Sequence, residues 1–544
     1  MIAVLCFEDT RIIGLTLVEM KQADKSAKIL SIFVKKSHNS HGNSAWTFVE
    51  SASAASNSAD IPSMNDQITA LSASALSSAI REREISCKEV MTAYLERIHR
   101  FNPTYNAIVS LASDDTLLEA ARAADKALSK GEYWGWMHGM PHAVKDLADV
   151  RGFVSSSGSP LFSGTVAKKD SLPVERMRNV GAIFIGKTNT PEFGLGSQTY
   201  NTVFGTTRNA YNPDLCAGGS SGGAAVGLAA NLLPVADGSD MMGSLRNPAG
   251  FNNVIGFRPT KGRVPSAGQD AALFFNQLAT DGPMGRNVTD TINLLTTMAG
   301  YDAREPLSLR DPLPRAGSFS PVPLTNELRI GFLGDYGGHL KTEQGLLDLC
   351  RGALRRLETH GVLIEDCSPR YELNRLWETW LTLRHFAFVD SQVLLKNPSI
   401  KSQLKPELQW EIEGSLEMTA ARVVEADKAR SDWYRALLAL FENFDFLVLP
   451  TAQVFPFPAA THWPTEINGK KMDTYHRWME IVIGGTLAGL PVVNLPAGFD
   501  KQGRPMGIQV MGPAGADTAV LEFALAYESA TSFLAQRPKL VTKL

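Results

Sequence analysis

Apolar residues between positions 86 and 531 follow two patterns, helical spacing and short unbroken runs. Residues 90–101 place apolar side chains at helical spacing, and Ser86 and Glu89 form a capping box that begins this helix. The pair Asn102-Pro103 predicts its end. Further helices are predicted at 117–128, 174–180, 224–232, 343–360 and 518–531, and strands at 142–144, 182–185, 329–333, 446–449 and within 490–512. This alternation predicts an α/β fold in which helices cover a sheet.

Residues 1–63 do not follow this pattern. Acidic residues and Arg11 interrupt the apolar positions of residues 1–18, which argues against a secretory signal. Residues 37–63 are rich in Ser, Ala, Asn and His, a composition that favours disorder. We therefore predict a poorly ordered extension over residues 1–63 and a catalytic domain over residues 64–540.

Composition and charge exclude several classes of protein. Hydrophobic residues make up 44% of the 544 and charged residues 20%, which is ordinary for a globular protein. The net charge of −3 argues against a nucleic-acid binder, which usually carries a basic surface. No apolar run approaches the roughly 20 residues that span a bilayer. We expect neither a nucleic-acid partner nor a membrane span.

The cysteines and histidines indicate no metal site. The five cysteines are odd in number and widely spaced, and the ten histidines form no HExxH motif. Free thiols in a reducing compartment are the simplest interpretation, so we predict a cytoplasmic location and no metal. The cysteines are Cys6, Cys87, Cys216, Cys350 and Cys367.

Two short motifs suggest functions that the surrounding pattern does not support. Residues 181–188 (GAIFIGKT) match a phosphate loop, but the variable positions are themselves a predicted strand, and Lys187 is expected at the surface. Residues 218–222 (GGSSG) match the nucleophile elbow of serine hydrolases. That enzyme class needs a downstream histidine, for which His462 and His476 are the candidates without a supporting motif.

A third interpretation uses more of the chain. GMPHAVKD at 139–146 is followed by GGSSGG at 218–223, DMMGSLRNP at 240–248 and GFRPT at 256–260. This order, together with GKTN at 186–189, GLPV at 489–492, LPAG at 495–498 and GIQ at 507–509, resembles the amidase signature family. The resemblance covers about residues 68–535, with the core motifs within 135–265.

The resemblance implies a large central mixed β-sheet covered on both faces by α-helices, and a Ser–cis-Ser–Lys triad. Ser244 would be the nucleophile, Lys145 the base, and Ser220 the bridging serine, joined to Gly219 by a cis peptide bond. The enzyme would hydrolyse carboxylic amides to an acid and an amine or ammonia through an acyl-serine, without a cofactor. Carbamates and esters would suit the same chemistry.

The residues around the nucleophile would have supporting roles. The main-chain amides of Met241, Met242 and Gly243, with that of Ser244, would hold the oxyanion. The family usually has Gly-Gly before the nucleophile, so a positive φ at Met242 would strain the loop. Ser221 would support the hydrogen-bond network, and Asp240 and Arg246 would hold the loop.

The base must be neutral to act. An unperturbed lysine has a pKa of about 10.4. For half of the Lys145 side chains to be neutral at pH 7, burial must lower this pKa by about 3.4. A strand end that faces an apolar core is a suitable position. Strand alternation should turn the neighbouring Asp146 away from Lys145.

The substrate is less defined by the sequence than the chemistry. The stretch 360–480 is expected to line the substrate pocket and contains six of the nine tryptophans. Aromatic lining favours an apolar or aryl amide, although most of these side chains would equally serve as core. The sequence is compatible with a homodimer. Two alternatives stay open, a serine esterase of the His–Asp type and a glutamine-dependent amidotransferase A-like subunit.

Overall fold

The computed structural model describes residues 63–266 and 272–539, together with the backbone of four strands nearer the N-terminus. These strands form an antiparallel sheet in sequence order and belong to a unit separate from residues 63–543. About half of residues 1–63 lie outside the described residues, so the poor order predicted there stays a prediction. The four strands are Ile2–Leu5, Ile12–Glu19, Lys28–His38 and Ser44–Ala52.

The larger unit is built on an eight-stranded sheet. Its pairs are antiparallel except at one end, where Arg329–Phe332 runs parallel to both of its neighbours. The sheet is therefore mixed, as expected. In spatial order the strands are Ala236–Asp240, Thr280–Gly285, Ile255–Arg258, Val492–Phe499, Pro505–Met511, Phe446–Pro450, Arg329–Phe332 and Leu363–Asp366.

A smaller sheet lies next to the strand Ala236–Asp240. It consists of Ile108–Val109, Ile183–Thr188 and Pro141–Lys145 in that order, with the last two parallel. Two short hairpins complete the described strands, namely Tyr200–Asn201 with Gly205–Thr206 and Glu466–Ile467 with Lys470–Lys471.

Helices surround the sheets. Every residue of Pro505–Met511 is buried, which requires cover on both faces of the central sheet. The α/β fold is confirmed. The α-helices are Met64–Ala70, Ala73–Arg81, Cys87–Tyr105, Asp114–Ser129, Leu172–Asn179, Gly222–Ala229, Arg246–Phe251, Val288–Met298, Leu346–Glu358, Leu373–Phe386, Pro398–Lys401, Pro406–Ser415, Ala420–Phe441, Ile483–Leu487 and Asp517–Ala530.

The helix predicted after Ser86 illustrates how local signals act. Both hydrogen bonds of the capping box between Ser86 and Glu89 are present. The helix continues past the predicted stop, through Pro103, to Asn106 in the left-handed conformation. The Asn102 side chain explains the longer helix, because its oxygen accepts the N–H groups of Ala107 and Ile108 at 2.9 and 2.8 Å.

No helix within the described residues is long and apolar enough to cross a membrane.

Candidate active site

The lysine that the sequence singles out lies at the centre of a hydroxyl cluster. All five residues of Pro141–Lys145 are buried, and Lys145 is 1% exposed. Its Nζ donates to Ser220 Oγ at 2.8 Å and Ser221 Oγ at 2.9 Å. Ser239 completes the cluster with its Oγ at 3.0 Å and its carbonyl oxygen at 3.3 Å. A neutral amine in this cluster has a lone pair that can accept a serine proton.

Burial also favours the neutral form of this lysine, which is the form that can act as a base. Desolvation lowers the pKa of Lys145 to about 7, against the opposing charges of Asp281, Asp237 and Asp240. Asp146 faces elsewhere, as predicted. Its carboxylate accepts the Ser156 hydroxyl at 2.5 Å and lies 3.5 Å from the ammonium group of Lys187.

The loop before the helix Gly222–Ala229 presents Ser220 to this lysine. The peptide bond between Gly219 and Ser220 is cis, in agreement with the expectation. The Ser197 hydroxyl donates to the Gly219 carbonyl at 2.7 Å and accepts the Gly219 N–H at 3.2 Å. Gly218 has φ +72°, and a Cβ there would lie 2.9 Å from Pro248. Close backbone packing therefore determines the position of this loop.

Ser244 lies in the loop between the strand Ala236–Asp240 and the helix Arg246–Phe251. It is 6% exposed, and its carbonyl oxygen accepts the Ser221 N–H at 3.3 Å. The two serine loops are thus joined through the main chain. Within the described residues the Ser244 hydroxyl makes no side-chain hydrogen bond, so its predicted contact with Ser220 is not formed here.

A buried ion pair stabilises the loop that carries Ser244. Both side chains of Asp240 and Arg246 are 0% exposed, and Arg246 Nη2 lies 2.9 Å from Asp240 Oδ1. The Asp240 carboxylate also accepts the N–H groups of Gly243 at 2.9 Å and Leu245 at 3.1 Å. Arg246 reaches Gln509 Oε1 at 2.7 Å, which ties the loop to the central sheet. These contacts agree with the scaffold role expected for Asp240 and Arg246.

The amides expected to form an oxyanion hole are not equivalent. The Gly243 amide is already bonded to Asp240, which corrects the expectation that it is a free donor. Gly243 has φ +77°, whereas Met242 is not among the described residues with positive φ. Methionine at position 242 is therefore not strained, and it is only 3% exposed. The amides of Met241, Met242 and Ser244 make no main-chain hydrogen bond within the described residues.

The structure also resolves the two motifs that the sequence pattern did not support. Six of the eight false phosphate-loop positions lie in the strand Ile183–Thr188. Lys187 is buried, so its predicted surface position is wrong. Its ammonium group donates to the Ala148 carbonyl at 2.5 Å and pairs with Asp146, which explains why burial is tolerated.

Neither candidate histidine contacts Ser220 or Ser244 within the described residues. The ring of His462 stacks on Tyr200 with a centroid distance of 4.4 Å. His476 is buried among aromatic rings, and desolvation lowers its pKa to about 3. A His–Asp esterase site is therefore not assembled.

Several residues near the site were missed by the sequence analysis. Ser239 and Asp237 lie directly before the Asp240 motif, and Arg258 lies within the GFRPT motif, so their position next to recognised motifs was the available signal. Arg258 donates to the Asp240 carbonyl and to the Leu278 carbonyl, the latter at 2.9 Å. No local pattern marked Arg384, which donates to Met241 Sδ at 3.3 Å.

The stretch 360–480 contributes more to the core than to a pocket wall. Trp377, Trp380, Trp433 and Trp478 are each less than 5% exposed, whereas Trp410 and Trp463 are partly exposed. A buried network joins Arg384, Glu411 and Tyr475, with Arg384 Nη2 at 2.8 Å and Glu411 Oε1 at 2.6 Å from the Tyr475 hydroxyl. Most of the tryptophans are therefore structural.

Among the described residues no group of three or more His, Cys, Asp or Glu side chains could hold a metal ion.

Comparison with known proteins agrees with the order of motifs. The family model described as Amidase matches residues 89–521. The chain therefore belongs to the amidase family, and the prediction that it is an amidase is confirmed.

Individual relatives are similar over nearly their whole length. The chain is 32% identical over 480 residues to the A subunit of glutamyl-tRNA(Gln) amidotransferase from Thermosynechococcus vestitus, a match that covers 84% of this chain and 97% of that one. It is 30% identical over 470 residues to an acylamidase of Rhodococcus erythropolis, with 86% and 97% covered. The solved structure of a bacterial aryl acylamidase of the amidase signature family matches with a TM-score of 0.80 and 28% identity, covering 86% of this chain and 99% of that one.

Proposed function

We propose that this amidase hydrolyses carboxylic amides with Ser244 as nucleophile, Ser220 as proton bridge and Lys145 as base. The observation that carries the proposal is the 2.8 Å contact between Lys145 Nζ and Ser220 Oγ, next to a loop that holds Ser244. The lowered pKa of Lys145, about 7, supports a neutral amine at physiological pH. A serine hydroxyl needs such a base to become nucleophilic.

The cycle begins with rotation of the Ser244 side chain toward Ser220. Ser244 Oγ forms a bond to the acyl carbon while its proton passes to Ser220, and the Ser220 proton passes to Lys145. The charged Lys145 then returns a proton through Ser220 to the leaving nitrogen, and the C–N bond breaks. Water attacks the acyl-serine, gives one proton to the same relay and releases the acid, which restores the Ser244 hydroxyl.

We assign the oxyanion to the amides of Met241, Met242 and Ser244. Their N–H groups donate to no main-chain oxygen of the described residues. Gly243 acts differently, because its amide donates to Asp240 and holds the loop in shape. Removal of one oxyanion donor typically costs about 10²–10³ in rate.

We infer that the substrate is an aryl or otherwise apolar amide. The partly exposed Trp410 and Trp463 and the likeness to an aryl acylamidase support this inference. Carbamates and esters form the same acyl-serine, so we include them as secondary substrates. A turnover panel of anilides, aliphatic amides, carbamates and esters tests the inference, and preference for short aliphatic amides would contradict it.

A second candidate function is ammonia release from glutamine. Its support is the 32% identity to the A subunit of a glutamyl-tRNA(Gln) amidotransferase. Measured ammonia release from free glutamine, at a rate above that from anilides, would favour this function over the first.

Three substitutions test the triad. We expect Lys145→Ala, Ser220→Ala and Ser244→Ala each to lower kcat by at least about 10³-fold. Ser415→Ala is a matched control, since Ser415 is also buried but its hydroxyl donates to the Ile412 carbonyl and accepts from the Gln392 side chain, away from Lys145. A serine-reactive phosphonate should label Ser244, and labelling of another residue with full activity in Ser244→Ala would overturn the assignment.

We further propose a cytoplasmic location and a homodimer. The four described cysteines are free thiols, three of them buried, which suits a reducing compartment. The homodimer stays a prediction, and sedimentation of the purified chain tests it.

A further inference from the structure

A buried histidine and a buried aspartate form a hydrogen bond next to the main chain of Lys145. His142 Nε2 lies 3.0 Å from Asp237 Oδ1, and the two side chains are 0% and 7% exposed. No described residue forms a hydrogen bond with His142 Nδ1. The proton therefore belongs on Nε2, since a proton on Nδ1 would be buried without an acceptor. His142 is the donor in this contact and Asp237 the acceptor.

The same carboxylate holds the main chain of Lys145. Asp237 Oδ2 accepts the Lys145 N–H at 3.2 Å, and Oδ1 lies 3.4 Å from the same nitrogen. Asp237 belongs to the strand Ala236–Asp240, which also carries Ser239 and leads into the Ser244 loop. One carboxylate thus links the strand that carries Lys145 to the strand that precedes Ser244.

The negative charge of Asp237 also acts on the Lys145 side chain. A cavity of about 310 Å³ is lined by Lys145, Asp237, Asp281 and Asp149, among others. Asp237, Asp281 and Asp240 favour the charged form of Lys145, and Asp240 is already paired with Arg246 and Arg258.

The other charged or titratable groups near Lys145 have their own partners. On its own strand His142 donates to Asp237, and on the neighbouring strand Lys187 pairs with Asp146. Asp237 therefore combines two properties, contact with the Lys145 main chain and a charge that acts on its side chain.

We propose that Asp237, held by His142, is a positioning residue for Lys145 that places the end of its strand and supplies negative charge beside its ammonium group. The proposal rests on the proposed role of Lys145 as base. Asp237 contacts Lys145 rather than the serines, so the proposed effect on the reaction passes through the lysine. Its charge keeps the lysine basic enough to take a serine proton, in opposition to the effect of burial.

The test is the pH dependence of kcat/KM in Asp237→Asn. Without the negative charge, the charged form of Lys145 is less stable, so the acid limb should move to lower pH by at least about 0.5 unit. The plateau of kcat should fall several-fold because a weaker, less well placed base remains, whereas KM should stay within about twofold.

Asp149→Asn is the matched control. Asp149 lines the same cavity, but its charge acts on Lys187 and is not among those acting on Lys145. Its profile should overlay the native one. An Asp237→Asn profile that coincides with that of Asp149→Asn would overturn the proposal.

His142→Phe keeps the proposal testable if Asp237→Asn does not fold. Phenylalanine retains an aromatic ring against Phe184, whose centroid lies 6.1 Å from that of His142, but donates nothing to Asp237. Without this donor the Asp237 carboxylate is held less firmly against the Lys145 strand, so the acid limb should move in the same direction by a smaller amount. An unchanged limb would contradict the proposal.

Different results would contradict the proposed triad and the proposed role of Asp237. If Lys145→Ala keeps full activity, the proposed triad is wrong. If Lys145→Ala is inactive while both the Asp237 and His142 variants keep the native pH profile and kcat, only the positioning role is wrong.

Discussion

Arg246 and Asp240 form two hydrogen bonds, at 3.0 and 2.9 Å, although both side chains are fully buried. The pair lies beneath the loop that carries Ser244, and Asp240 binds two main-chain amides of that loop. Arg246 lowers the pKa of Asp240 below its usual range against the effect of burial. Loop shape and local charge balance therefore depend on the same contact.

Loss of one partner should be costly. We expect Arg246→Met to lower the free energy of unfolding by about 3–5 kcal/mol, because it leaves Asp240 buried with less compensation. Arg435→Met removes the exposed pair with Asp432 and should cost less than about 1 kcal/mol. Urea unfolding of both variants compares them, and equal losses would contradict this account.

Activity should depend on the protonation of Lys145. Its pKa lies near 7 and the neutral form is the proposed base, so kcat/KM should rise with pH to a plateau, with a midpoint near pH 7. The profile should be measured with a neutral anilide so that the substrate does not titrate. A plateau that extends down to pH 5 would argue against the lysine as base.

A substitution at position 243 should lower mainly kcat, whereas a substitution at position 242 should lower mainly the free energy of unfolding. Gly243→Ala adds one methyl group at φ +77°, where its Cβ would lie 2.2 Å from Asn247 Oδ1. We expect kcat to fall at least about 100-fold, because the displaced loop misaligns Ser244.

Met242→Ala is the comparison for that variant. It removes buried side-chain atoms without changing an ordinary backbone conformation. The free energy of unfolding should fall by about 2–4 kcal/mol while kcat stays within about tenfold. A larger loss of kcat in Met242→Ala than in Gly243→Ala would show that side-chain packing, and not loop shape, controls the site.

Glu528 should make stability depend on pH. Burial raises its pKa to about 7, while its carboxylate lies 3.3 Å from the Val288 N–H. The folded state binds this proton more tightly than the unfolded state, in which the side chain has its ordinary pKa of 4.5. The contribution to stability is thus fully present below pH 4.5 and is lost as the pH rises through about 7.

Glu528→Gln should not show this loss. Between pH 5 and pH 8 the stability of the native chain should fall relative to Glu528→Gln by about 1–3 kcal/mol. Urea unfolding at four pH values in this interval measures the difference, and a constant difference would show that Glu528 is not protonated in the folded state.

Much of the fold follows from local signals in the sequence. Ser86 and Glu89 begin their helix because a capping box needs only residues three positions apart. The apolar run before Lys145 forms a buried strand that ends at Lys145, and Asp146 points away from the lysine as predicted, although it lies in the turn after the strand. The ordered motifs identified the family because their order along the chain is specific.

Contacts between distant residues could not be predicted in this way. Lys187 looked exposed at a strand end, yet tertiary packing buries it beside Asp146. The Gly243 amide looked free, yet the folded loop turns it toward Asp240. The contacts of Asp237 could not be predicted, because its partners His142 and Lys145 precede it by 95 and 92 residues.

The sequence by itself determined the family, several helices and strands, and the motifs that carry Lys145, Ser220 and Ser244, because spacing and local backbone preference act over a few positions. Tertiary structure alone decided which amides stay free, which charges surround Lys145 and how far burial lowers its pKa. These properties depend on distance in space and on exclusion of water, and both arise only when remote segments pack together.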